Sequence, residues 1–100
     1  MSDDVHFGSF SWNKAKEKAN FRRHGLNFNE AVEAFADPRR IIARDDGHSQ
    51  DEERLFCIGL VNNRIATVRF TFRGKVVRIF GAGFWRKGRK AYEETNLHRP

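Results

Sequence analysis

A chain of 100 residues with 19 Lys+Arg, 13 Asp+Glu and a net charge of +6 is one domain with one core. The positive surplus favours an anionic partner, and nucleic acid is the commonest for a small soluble protein. The single cysteine, Cys57, excludes an internal disulfide; no apolar run reaches spanning length, and MSDDVHF lacks the basic and apolar regions of a signal peptide, so a cytoplasmic protein is expected.

In chain order, residues 1–6 and 97–100 read as loose tails of a single domain over 1–100. FGSFSW, Phe7 to Trp12, reads as a short strand with Phe10 and Trp12 on one face. Asn13 caps a helix that runs to Gly25, whose left-handed conformation ends it. Ala15, Ala19 and Phe21 are its apolar residues, and its surface is basic through Lys14, Lys16, Lys18, Arg22, Arg23 and His24. Two readings stand for that surface: a solvated face, or a phosphate-binding wall beside a sheet.

Asn27 and Glu30 resemble a capping box, with Leu26 and Ala31 as hydrophobic staple, opening a core helix of Phe28, Ala31, Val32 and Phe35 that Pro38 stops. Arg39 to Ala43 reads as a strand and RDDGHSQDEE as a charged loop. Asp45, Asp46 and His48 match no specific metal-site spacing, so no metal or other cofactor is expected.

Arg54 to Ala82 holds runs of Val, Ile, Phe and Thr broken at Asn62-Asn63 and Arg73-Gly74, an antiparallel meander. A two-residue turn at Asn62-Asn63 pairs Val61 with Arg64, Ile58 with Thr67, Phe56 with Arg69 and Arg54 with Thr71. One face is then apolar, carrying Leu55, Cys57, Val61, Ala66, Val68 and Phe70. The other mixes Arg54, Phe56, Ile58, Thr67, Arg69 and Thr71. Closing Phe72 on Lys75, or Thr71 on Val76, brings Val77 and Ile79 to the apolar face and sets Arg69 opposite Arg78. Like charges there repel unless Glu53 or a bound phosphate lies between them. Beyond the sheet, Gly81-Ala82-Gly83 completes no dinucleotide motif. Phe84 and Trp85 cover an end of the core. Arg86, Lys87, Arg89 and Lys90 open a short helix from about Gly88 to Asn96, on which Tyr92 packs.

The ordered residues Phe10, Trp12, Lys16, Asn20, His24, Gly25, Phe28, Glu30 and Ala31 resemble the opening of the BrnT toxins. The resemblance continues through Phe35, Asp37-Pro38, Asp46 and His48, Glu53-Arg54, Gly59, Phe70-Thr71, Arg73 and Arg78-Ile79, from about residue 10 to residue 92. It implies an α+β, RelE-like fold: a short strand and two helices, then the antiparallel meander and a short C-terminal helix. It implies a ribonuclease toxin of a type II toxin–antitoxin pair. It also implies a cognate BrnA-like antitoxin with a ribbon-helix-helix half, through which alone operator DNA is reached. Where many members carry Ser-Ala-Arg at the end of the last strand, this chain has Gly81-Ala82-Gly83.

Cleavage of RNA by its own 2′-OH needs a base, stabilisation of charge on phosphorus and an acid for the leaving group. Arginine suits the second task, since its fork holds two phosphate oxygens and stays charged. Arg54, Arg69, Arg73 and Arg78 are the candidates, with His24, His48 or Glu53 to move the proton. Lys16, Arg22, Arg23, Arg86, Lys87 and Arg89 are candidate RNA contacts, and Phe56 or Phe80 offers a base a stacking surface. A non-catalytic nucleic-acid binder and an antitoxin-binding module are the other classes the residues allow.

Overall fold

The computed structural model describes residues 3–97. Strand β1 (Asp4–Phe7) turns at Gly8-Ser9 into strand β2 (Phe10–Asn13), with Asp4 opposite Asn13, Val5 opposite Trp12 and His6 opposite Ser11. Residues 4–6 are therefore sheet rather than tail. Val5, alternating with polar neighbours, packs against the core beside Trp12, which pins a segment too short to pattern as a strand by itself. Met1, Ser2 and residues 98–100 of the expected tails lie outside the described residues. Phe10 and Trp12 share a face as expected: Trp12 is buried, and Phe10 meets Phe35 edge-on at 5.1 Å.

Asn13 Oδ1 accepts the Lys16 N–H at 3.0 Å and opens helix α1 (Lys14–His24); Gly25, at φ 69°, closes it by donating its N–H to Phe21 O. Both caps fall where the sequence places them. The apolar stripe does not exist. Ala15 and Ala19 lie one turn apart with Phe21 nearly opposite, and all three are exposed. Asn20 is the buried residue of α1.

The second helix is one α turn, α2 (Phe28–Ala31), continued by a 3-10 helix, Val32–Ala36. The expected capping box does not form. Glu17 Oε2, reaching from α1, takes the Phe28 N–H at 3.0 Å, while Glu30 Oε2 accepts from Asn62 Nδ2 at 3.1 Å. A tertiary carboxylate has replaced the local one.

Four further strands follow: β3 (Ile41–Arg44), β4 (Leu55–Val61), β5 (Arg64–Arg73) and β6 (Val76–Gly83). Between the first two lies the charged loop with its 3-10 turn, Asp46–His48. The fold is α+β: a six-stranded mixed sheet in the order β1-β2-β6-β5-β4-β3, antiparallel except where β2 runs parallel to β6. Its apolar face carries Cys57, Val61, Ala66, Val68, Phe70, Ile79 and Ala82 against Leu26, Phe28, Ala31 and Ala34. Burial pushes the Cys57 thiol up to about 12, against a pull from Arg40, so it is a packed group and a poor nucleophile.

Asn62 and Asn63, at φ 51° and 62°, make the two-residue turn, and Val61–Arg64, Ile58–Thr67 and Phe56–Arg69 pair as expected. Arg54 falls just before β4, so its expected pairing with Thr71 lies beyond the strand. The second turn lies one residue further along than a closure of Phe72 on Lys75. Gly74, at φ 63°, lets Arg73 face Val76, and Arg78 then faces Thr71. An irregularity between Arg69 and Phe70 sets Arg69 opposite Gly81 and leaves Phe80 without a partner on β5. The expected opposition of Arg69 and Arg78 is therefore wrong. The two-residue shift at the turn keeps Val76 to Ile79 on their expected faces and by itself separates the two cations without an acid between them; past the bulge the alternation resumes with Gly81 beside Arg69 and Ala82 in the core.

Helix α3 (Arg86–Asn96) starts two residues before the expected Gly88 and lies on the mixed face, where a side chain at Gly88 would collide with Thr67 Oγ1. Tyr92 Oη donates to Asp37 Oδ2 at 2.6 Å, tying α3 to the end of the 3-10 helix. Burial alone would raise the Asp37 carboxyl; hydrogen bonds from Tyr92 and from the Arg39 and Leu60 N–H groups outweigh it and hold the group below its ordinary value. The unfolded chain therefore takes up this proton first on acidification. Stability from Asp37 is present above about pH 4 and is lost as pH falls through the folded value. Tyr92→Phe is expected to cost about 1.5–3 kcal/mol at neutral pH, and less once Asp37 is protonated, in denaturant melts at several pH values.

Candidate functional site

Across the mixed face, register partners fall into rows. Ser11, Arg78 and Thr71 form one; Gly81, Arg69, Phe56 and Ala43 form the next; Gly83, Thr67, Ile58 and Ile41 the third. Helix α3 covers the third row. The middle row is left open toward α1.

There the bulge opens a pocket of about 270 Å³ between α1 and β6. Lys16, Arg23 and His24 line it from α1, Arg69 from β5, Phe80 and Gly81 from β6, and Trp85 closes one side. No Asp or Glu lines it. Among the described residues, Lys16, Arg23 and Arg69 form no ion pair. Three cations facing one space with no acid between them are an electrostatic demand for an anion, strongest where low-dielectric walls focus the field. The Arg69 guanidinium lies over Gly81, where an added Cβ would sit 3.4 Å from Nε. Gly83 has the same use for Trp85, whose ring would be 2.7 Å from a Cβ at that position. The Trp85 ring also meets His24 edge-on, 5.0 Å between centroids.

Phe80, released from pairing by the bulge, is surrounded by cations: Arg54 at 4.2 Å from the ring centroid, Lys16 at 5.5 Å and Arg73 at 5.7 Å. Arg54 and Arg73 also share Glu52, at 3.7 and 3.3 Å. Glu53 is exposed, and its backbone carbonyl accepts the Thr71 hydroxyl.

The other candidates lie apart from this pocket. Arg78 is held by Asp4 at 2.9 Å and donates to Ser11 Oγ at 3.3 Å; its hydrogen bond holds the Asp4 carboxyl below its ordinary value. His48 Nδ1 sits 2.9 Å from Asp45 Oδ2 in the charged loop. Arg22 lines a different depression, with Glu17 and Asn27. Phe56 and Lys87 border a cavity under α3, while Arg89 pairs with Glu93 at 3.9 Å and Arg86 is exposed on the first turn of α3. Among the described residues no three His, Cys, Asp or Glu side chains gather as a metal site requires.

Sequence reasoning missed Asn20 and Trp85 at this site. Asn20 Nδ2 donates to Ala82 O at 2.8 Å and Leu26 O at 3.0 Å, and its Oδ1 accepts the Ala82 N–H at 3.1 Å. Its amide thus continues the sheet past the end of β2 and sets the height of α1 over the pocket. A lone Asn on a basic helix face carries no such signal. Trp85 reads in sequence only as cover for an end of the core.

Residues 12–88 match the family model described as ribonuclease toxin, BrnT, of type II toxin-antitoxin system. No curated protein matches the chain. Among the described residues no helix is long and apolar enough to cross a membrane. The family match runs from Trp12 on β2 to Gly88 on α3 and takes in every residue of the cation-lined pocket, so the chain belongs to the BrnT family of type II toxin–antitoxin ribonuclease toxins.

Proposed function

We propose that the pocket between α1 and the β6 bulge holds an RNA phosphate and that the chain cleaves RNA there without a metal. What carries this reading is the convergence of Lys16, Arg23 and Arg69, with no acid, on a wall that includes His24. Arg69 holds the non-bridging oxygens and takes up the charge that develops on phosphorus. His24 removes the 2′-OH proton; the 2′-oxygen bonds to phosphorus, the bond to the 5′-oxygen breaks, and that oxygen takes a proton from water. The products are a 2′,3′-cyclic phosphate and a 5′-hydroxyl. Arg54 and Arg73, beside Phe80, guide the adjoining backbone. Arg78 acts at a distance by fixing the β1–β2 hairpin.

Membership of a type II system implies an antitoxin partner. We assign it to the ribbon-helix-helix kind, with operator DNA reached only through it, and the chain to a RelE-like fold and a cytoplasmic site of action. The family resemblance supports these assignments, and the order of a strand pair, two helices and antiparallel strands supports the fold among them.

The test uses the purified chain and a single-stranded RNA. His24→Gln is expected to lower cleavage by about 10²–10⁴ while RNA affinity changes little. Salt-dependent binding by the unaltered chain with no cyclic-phosphate product would show a non-catalytic binder instead. Cleavage by His24→Gln at the original rate would remove His24 from the mechanism.

A further inference from the structure

A second cavity, of about 390 Å³, lies on the same face under α3. Phe56, Ile58, Thr67 and Ala43 form its floor, and Trp85, Gly88 and Ala91 its wall, with Arg44 and Lys87 at the rim. Its lining is chiefly carbon. Phe56 and Trp85 are each half-buried, so both rings keep uncovered surface.

Its relation to the cation pocket gives it meaning. Trp85 lines both spaces and divides them. Arg69, in the first, stands directly opposite Phe56, in the second, on the neighbouring strand of the same row. Adjacent strands lie about 4.8 Å apart, a step that a single nucleotide spans between its phosphate and its base. An anion on Arg69 is therefore flanked by an apolar slot with two aromatic rings, at the place where the attached base must go.

Resting on the ribonuclease reading, we propose that this slot is a nucleobase subsite. It takes the base of a nucleotide adjoining the scissile phosphate, stacked on Phe56 or Trp85, with Arg44 and Lys87 at the rim toward the flanking phosphates. Its walls are mostly carbon, so a base is held there chiefly by stacking, with the buried Thr67 hydroxyl, unpartnered among the described residues, beside it.

The experiment compares an intact oligoribonucleotide with two of the same sequence that carry a single abasic nucleotide, one on each side of the cleaved bond. Stacking is worth about 1–3 kcal/mol per base, so the unaltered chain should prefer the intact substrate by roughly 5- to 150-fold in kcat/KM on one side. Ala91→Phe, which fills the slot, and Phe56→Ala, which removes its aromatic floor, should each bring that ratio to within about twofold of unity. Thermal melting identifies a variant that fails to fold, and the other then decides. Equal cleavage of intact and abasic substrates by the unaltered chain overturns the subsite and leaves the ribonuclease reading standing. Failure to bind or cleave either overturns both. Preserved base discrimination in Ala91→Phe, with loss of antitoxin binding, overturns the subsite by giving the slot to a protein segment.

Discussion

Arg69→Ala should lower kcat/KM for RNA cleavage by roughly 10²–10³ and relieve growth inhibition, with almost no change in melting temperature. The expectation follows from geometry. Arg69 is exposed, forms no ion pair among the described residues and reaches over Gly81 into the pocket, so its removal costs the fold little. Arg69→Lys keeps the charge and loses the two-pronged fork, and should fall between the two. The contrast is Arg78→Ala. Arg78 spends its guanidinium on Asp4 and Ser11, so its loss should loosen the β1–β2 hairpin and reduce activity only through that disorder. If Arg69→Ala cleaves as well as the unaltered chain, the anion of this pocket is not the substrate phosphate.

The largest effect on stability is expected from Asn20→Ala. The change strands the N–H and C=O of Ala82 and the C=O of Leu26, all satisfied through one amide. At about 1–3 kcal/mol per unsatisfied group, less what water recovers at the sheet edge, the loss should be roughly 3 kcal/mol. In a chain of this size that is a fall of roughly 12–24 °C in melting temperature. Asn20→Asp should be no milder, because it keeps one acceptor and turns a carboxylate toward two carbonyl oxygens. Activity should fall with stability in both, since α1 carries Lys16, Arg23 and His24. A melting temperature within a few degrees of the unaltered protein would show that α1 is held by something other than this amide.

Several features of the site were legible one residue at a time. Lys16, Arg23, His24, Arg69 and Phe80 are visible in the sequence as cations, a proton carrier and an aromatic ring on elements of known kind. What periodicity could not show is which of them share a space. The arginines at 54, 69 and 78 fall on one face by alternation, with Arg73 at the turn, yet of the four only Arg69 lines the pocket, and Arg78 is taken by an aspartate 74 residues away. Side-chain partners across such separations depend on how elements dock, and alternation does not encode docking.

By itself the sequence determined what short-range physics governs. Asn13 and Gly25 bound α1 because capping and left-handed backbone are local preferences. Asn62-Asn63 makes its turn, and the meander's two faces separate, because a period of two puts every second residue on the same side. The tertiary structure alone decided the rest. Glu17 displaced the Asn27–Glu30 cap because a neighbouring helix brought a carboxylate to the Phe28 N–H. Asn20 became an anchor because β2 ends where β6 still has a free edge. The turn register took Arg78 away from Arg69, and the bulge then set Arg69 opposite Gly81 in place of Phe80 and so opened the pocket, because one residue inserted in a strand costs little locally and changes every pairing beyond it.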